Sequence, residues 1–463
     1  MHIFYLFLSV GFGFSCLLFG VALLVRLKTI EAAQRRLEPH EMRLRDPTDV
    51  AAQKAARRPL RVVILHPDLG IGGAERLIID AAVGLQKHQQ VTPLSTTIVT
   101  NHHDPRRAFP ETVDGTVTVH VCGAWLPASF FGRAKVFCAT LRMMWAAFVA
   151  ASSYPDTDCF MVDQVAAVLP VLCCFAPQVP RLFYCHFPDQ CCDSNRDIDG
   201  CFVKPPSKLH IWYRRFFDAV EARAMGYADS IVSNSKFSRD MAVKTFPQLR
   251  SVIDPEMDIF YPPVSWPAES APESGTEETE VLLKRIKGHT VVLSINRYER
   301  KKNLALAIES FARVVSKTLD VLAKPPLLII AGGYDLRLAE NVEHLQELKE
   351  LAASYHHIAE RVIFLQNISN ATKSQLLSHC CCLVYTPTME HFGIVPTEAM
   401  VCARPVVAVN QGGPCESVGE GGSLCEPTPE AFAEAIAAYM TDENLAKRVG
   451  TAGRQRALRL FSI

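Results

Sequence analysis

Cys382-Leu383-Val384-Tyr385, Glu390-His391-Phe392-Gly393-Ile394-Val395-Pro396-Thr397-Glu398-Ala399-Met400 and Pro405-Val406-Val407-Ala408-Val409 read in succession as strand, loop, helix and strand. The two flanking runs are apolar without alternation, as in strands covered on both faces, the habit of a parallel sheet in an α/β protein. Pro396 suits the first turn of the helix, Ala399 and Met400 continue it, and Pro405 closes it. Glu390 then falls in the loop at the carboxyl end of a strand and Glu398 in the first helical turn. Open α/β sheets bind ligands there, and unpaired backbone N–H groups favour an anion. A site of this kind holds a sugar hydroxyl with Glu390 and a ribose with Glu398, while the amides around Gly393 and Ile394 face a diphosphate. Two glutamates at this spacing also fit a solvated helix end, so the surrounding string carries the meaning.

The same alternation extends in both directions. Upstream, Arg61-Val62-Val63-Ile64-Leu65 reads as a strand, Gly70-Ile71-Gly72-Gly73 as a turn, and Ala74 to Leu85 as an amphipathic helix. Further strands are expected at Ser95–Val99, Val117–Val121, Cys159–Val162 and Leu182–Tyr184. Pro262-Pro263-Val264 through Glu280 is rich in Pro, Ser, Glu and Thr and reads as a linker. Beyond it come strands at Thr290–Ile295, Leu327–Ala331, Arg361–Leu365, Cys381–Tyr385 and Pro405–Val409, with a helix at Leu304–Val315. The expected architecture is α/β, with two Rossmann-like domains facing a cleft. Residues 59–261 form the first domain, 262–285 the linker and 286–463 the second.

The 463 residues are enough for two cores and an appendage. With 48 acidic and 48 basic side chains the chain offers no case for a nucleic-acid partner. Ile3 to Val25 carries no charge and is long enough to cross about 30 Å of hydrocarbon. It reads as a transmembrane anchor within residues 1–27, followed by a polar stalk over 28–58. A cleaved signal peptide is the competing reading, but the apolar run is long for one and no basic segment precedes it. Arg26, Lys28, Arg35 and Arg36 follow the run, placing the bulk of the chain in the cytosol by the positive-inside rule. The 16 cysteines, several of them adjacent and none spaced as C-x-x-C, fit that compartment as small buried residues. The sequons at Asn367 and Asn370 are read as chance.

Three loops complete the candidate site. Gly72 and Gly73 permit close approach of a phosphate or sugar to the backbone, although Glu75 stands where a dinucleotide fingerprint needs glycine. Arg297-Tyr298-Glu299-Arg300-Lys301-Lys302-Asn303 crowds positive charge between a strand and a helix. Such a run serves as a solvated surface or as a clamp on a departing diphosphate, with Arg297 and Lys302 as the clamping pair. His186 follows a strand of the first domain and is either structural or directed at a ligand. Asp156-x-Asp158 and Asp197-x-Asp199 lack a supporting string, so no metal is assigned.

These strings together resemble the retaining glycosyltransferases of the two-domain glycosyltransferase-B fold, whose Glu-x7-Glu motif matches Glu390 to Glu398. Within them the chain is similar to mannosyltransferases of asparagine-linked glycosylation. The resemblance implies GDP-mannose as donor and a dolichol-diphosphate-linked oligosaccharide as acceptor, extended by an α-1,3 and then an α-1,6 mannose. It also implies action on the cytosolic face of the endoplasmic reticulum membrane and no cofactor, while the single-pass anchor is read from the residues rather than from the family. By the same resemblance His186 meets the reacting sugar, Glu390 the donor mannose, Glu398 the ribose, and Arg297 and Lys302 the diphosphate. A same-fold transferase using another lipid acceptor or nucleotide sugar would retain all these motifs.

Overall fold

The computed structural model describes residues 59–87, 94–129, 134–191, 207–250, 252–253, 259–264, 277–318 and 321–462. The expected anchor and stalk, and Asp197 and Asp199, lie outside them. The described chain divides into two compact units. One comprises residues up to Ser233 with the segment from Arg239 to Ile253; the other comprises Asn234–Ser238 and the chain from Ile259 onward.

In the first unit the order is β1 (Leu60–His66), α1 (Gly73–Lys87), β2 (Leu94–Thr100), β3 (Thr118–Val121), α2 (Lys135–Ser153), β4 (Cys159–Asp163), α3 (Val168–Phe175), β5 (Arg181–Cys185), α4 (Lys208–Met225), β6 (Ser230–Ser233) and, from Arg239 onward, α5 (Lys236–Thr245). Its six strands are all parallel, in the order β3-β2-β1-β4-β5-β6. The order reverses between β1 and β4, where a doubly wound sheet opens a crevice beyond its strand ends. Helix α2 is the one described helix long and apolar enough to cross a membrane. Its Met143, Ala146, Ala147 and Ala150 are fully buried against β1, β4 and α3, so one face supplies core.

The second unit runs α6 (Glu277–Ile286), β7 (Thr290–Ile295), α7 (Leu304–Thr318), β8 (Pro326–Gly332), α8 (Ala339–Ser354), β9 (Val362–Gln366), α9 (Asn370–His379), β10 (Cys382–Tyr385), α10 (Ile394–Val401), β11 (Val406–Val409), α11 (Pro414–Ser417), β12 (Gly422–Cys425), α12 (Pro429–Thr441) and α13 (Glu443–Leu460). Its parallel sheet has the order β12-β11-β10-β7-β8-β9, the same doubly wound topology with its switch point between β7 and β10. Apolar clusters cover both faces of this sheet, which is why its central strands read as unbroken runs.

Three expectations are corrected. Glu277–Ile286, placed largely in the linker, is a helix whose Leu282, Leu283 and Ile286 pack on the second core. Edge strands β6 and β12 went unread, each being four residues long with serine or glycine among its residues. Helix α10 starts at Ile394, directly after Gly393, so Pro396 is in its first turn and Glu398, its fifth residue, opens the second turn instead of lying in the first.

Candidate active site

In the second unit, the segment between β10 and α10 is held in an uncommon backbone path. Met389 and Gly393 both have positive φ, 57° and 90°. The Gly413 amide donates to the Glu390 carbonyl at 2.7 Å, and Ser417 Oγ donates to the Phe392 carbonyl at 2.8 Å. Gly412 and Gly413 are required by this contact. A Cβ on Gly413 would stand 2.3 Å from the His391 oxygen, and one on Gly412 would stand 2.7 Å from the Glu390 oxygen. Phe392 anchors the loop from below, its buried ring set against Tyr261 and Phe461.

So positioned, Glu390 Oε2 accepts from Lys302 Nζ at 2.5 Å, with side chains 22% and 13% exposed. Lys302 arrives from the β7–α7 loop, where the Thr386 hydroxyl donates to its carbonyl at 2.7 Å and Asn303 turns the chain with φ 49°. The pair thus joins the carboxyl ends of β7 and β10 at the switch point. Burial pushes the Glu390 carboxyl up, but the Lys302 charge and hydrogen bond, His391 and the Tyr385 hydroxyl bring it below its ordinary value. Tyr385, buried and facing Glu390, is raised well above the usual phenol range.

The remaining candidates of this unit stand around the pair. Arg297 is 63% exposed and lies 3.1 Å from Glu299, which also meets Lys301 at 3.2 Å. A Cβ on Gly332 would stand 1.7 Å from the Asn296 oxygen, and one on Gly333 3.1 Å from Arg297 Cγ, so the end of β8 supports the Arg297 stem. Glu398 Oε1 accepts from Lys373 Nζ of α9 at 2.6 Å. Ile394 is the half-buried first residue of α10.

In the first unit Gly72 precedes α1 and Gly73 opens it. A Cβ on Gly72 would meet the Glu75 carboxylate, the movable end of a side chain, so close packing does not by itself demand glycine there. His186 stands one residue beyond β5, with 18% of its side chain exposed, and its Nε2 lies 2.6 Å from Asp163 Oδ1. The other oxygen of Asp163 lies 2.6 Å from Nδ1 of His66, and both of those side chains are wholly buried.

The structure therefore pairs Lys302 with Glu390 and sets Asp163 between His186 and His66, whereas Arg297 and Glu398 pair with Glu299 and Lys373. Sequence reasoning missed His66, Asp163, Lys373 and the Gly412–Gly413 step. Asp163 carries a signal, being a charged residue at the carboxyl end of an apolar strand. Lys373 carried none, because its partner lies in another element.

Residues 277–456 match the family model described as glycosyl transferases group 1. The chain is 39% identical over 415 residues to alpha-1,3/1,6-mannosyltransferase ALG2 of Dictyostelium discoideum, covering 88% of this chain and 95% of that one. To the Homo sapiens protein of the same name it is 40% identical over 406 residues, covering 87% and 92%. Among solved structures, sucrose-phosphate synthase from Thermosynechococcus elongatus superposes with a TM-score of 0.64 at 18% identity, covering 87% of this chain and 95% of that chain. This likeness shows the glycosyltransferase-B fold. With identity of this order along nearly the whole length of two relatives, the chain belongs to the ALG2 family of alpha-1,3/1,6-mannosyltransferases.

Proposed function

We propose that the chain transfers mannose from GDP-mannose to a dolichol-diphosphate-linked acceptor bearing two N-acetylglucosamines and one mannose. It adds an α-1,3 and then an α-1,6 mannose in N-glycan precursor synthesis. The observation that carries this reading is the Lys302–Glu390 pair at the β7/β10 switch point, in a chain of this family.

In the reaction the bond from the anomeric carbon to the diphosphate breaks, and its electron pair leaves with GDP. The acceptor oxygen bonds that carbon, and its proton passes to the departing diphosphate or to water. Negative charge therefore grows on the diphosphate, where preorganised positive charge lowers the barrier most. Lysine carries three donors, so Lys302 has capacity for a phosphate oxygen while it holds Glu390. Arg297, mostly exposed, supplies a second, planar donor set. Glu390, kept ionised by Lys302, accepts from a mannose hydroxyl, and the Gly393 and Ile394 amides face the diphosphate. Lys373 occupies one oxygen of Glu398, leaving the other for the ribose. His186 meets the reacting sugar from the first unit, where Gly72 and Gly73 admit the ligand to the backbone. The reading assigns no metal or other cofactor.

The anchor at Ile3–Val25 and the basic residues after it support placement at the endoplasmic reticulum membrane with the catalytic units in the cytosol. The test is a donor competition with purified protein and the one-mannose lipid acceptor. GDP-mannose should support transfer to two- and three-mannose products, while UDP-glucose and ADP-glucose should not. Transfer only from a uridine or adenosine donor would assign the protein to a different substrate.

A further inference from the structure

Two buried polar side chains, His66 and Asp163, and one half-buried, His186, meet at the switch point of the first unit. The parallel register that places Leu65 beside Val162 brings His66 and Asp163 side by side at the ends of β1 and β4. The register of β4 with β5 sets Asp163 opposite Tyr184, so His186 emerges just beyond. Directly after Asp163, Gln164 turns with φ 64°, a conformation that a non-glycine residue holds only when its surroundings impose it. A carboxylate buried to zero exposure is costly unless paired and hydrogen-bonded. Here Oδ2 meets His66 Nδ1 and Oδ1 meets His186 Nε2, each at 2.6 Å, the second contact lying off the ring's N–H axis. The Tyr184 ring stands edge-on to His186 with centroids 4.9 Å apart, limiting rotation of the imidazole. Of the three, only His186 reaches solvent.

We propose that Asp163, its carboxylate fixed from behind by His66, is the positioning residue for His186, holding a proton on Nε2 so that Nδ1 is the nitrogen offered to the donor sugar as an acceptor. Which ring nitrogen carries the proton is set by the partner of the other, and an anion beside Nε2 favours the proton there. The state of the carboxylate agrees. Burial raises Asp163, but the charges beside it at His186 and His66, with the His66 hydrogen bond, prevail and bring it to about 2. Burial lowers His66, but the hydrogen bond and charge of Asp163, with Glu75 and the Asp68 carbonyl, leave it raised. The titratable groups around His66 are therefore Asp163 and Glu75, with His186 on the far side of the carboxylate. The role attaches to the reaction read above, and only its kinetic part rests on that reading.

The test combines a kinetic cycle with a spectroscopic readout. Asp163→Asn should lower kcat for mannosyl transfer by about 10- to 100-fold with KM for GDP-mannose within about threefold. The Asp163→Asn/His186→Ala double variant should be no slower than His186→Ala, because the carboxylate acts through the ring. Losses that multiply in the double variant would mean that Asp163 acts through the fold at large. Independently, histidine-labelled 15N NMR of the unmutated full chain should show His186 as the Nε2–H tautomer near neutral pH. An Nδ1–H tautomer overturns the proposal whether or not GDP-mannose is the donor. Absence of transfer by the unmutated protein, with the expected tautomer present, would instead fault the substrate reading.

Discussion

At the scale of single residues, the charged side chains at the two switch points carry the proposed chemistry and a pH dependence of stability. Lys302 is the sharpest case, since its ammonium touches Glu390 and is proposed to hold the diphosphate. A hydrogen bond to a charged group is worth roughly 1.5 to 3 kcal/mol, so Lys302→Ala should reduce kcat/KM by about 10- to 150-fold in a folded protein. Near-normal kcat/KM in a variant with an intact melting transition would remove Lys302 from the site. Asp163 and His66 predict a pH dependence of stability. The Asp163 carboxyl falls from its ordinary 3.8 to about 2, so its contribution, roughly 2 kcal/mol, is present above 3.8 and lost as pH falls toward 2. His66 is raised above 6.5, so its contribution is full below that value and is lost as pH rises through its folded pKa. Asp163→Asn should therefore destabilise most between about pH 4 and 6.5, and the gap should narrow on either side. Denaturant melts across pH check this, and a gap independent of pH would contradict the assigned charges. Glu390 and His186 were legible as residues because each stands just past an apolar strand. Their partners were not, because Lys302–Glu390 and His66–Asp163–His186 are made by register between strands distant in sequence.

At the scale of elements, the loop between β10 and α10 keeps its path because the Gly412–Gly413 backbone packs against it without side chains. Gly413→Ala must move the His391 and Phe392 backbone, given a Cβ 2.3 Å from the His391 oxygen. Overpacking of this kind costs about 1 to 3 kcal/mol, so the melting temperature should fall by a few degrees and kcat/KM by about tenfold or more. An unchanged melt and rate would show that the loop relaxes freely. Much of the element pattern was readable, since β7 coincides with Thr290–Ile295 and the other long apolar strands lie within a residue or two of their expected ends. The four-residue strands β6 and β12 were not readable, because an edge strand needs few apolar side chains and takes its identity from a neighbour. The start of α10 was misplaced because Pro396 marks a permitted position in the first turn, whereas Gly393 sets the entry.

At the scale of the whole molecule, two units of the same doubly wound topology each bring polar side chains to a switch point, one around His186 and one around Glu390. The membrane reading predicts that protease added to sealed microsomes digests both units and that Asn367 and Asn370 carry no glycan. The Asn367 amide is already engaged in both directions with the Tyr334 backbone at 2.8 Å. Protection from protease, or a mobility shift on endoglycosidase treatment, would reverse the topology. The central claim is that one polypeptide forms two different mannosyl linkages in sequence, and linkage analysis of its products tests it most directly. Purified protein given GDP-mannose and the one-mannose dolichol-linked acceptor should yield a two-mannose product with an α-1,3 linkage and then a three-mannose product with an added α-1,6 linkage. A product bearing neither linkage, or a single linkage that never advances to the second with GDP-mannose in excess, would contradict it.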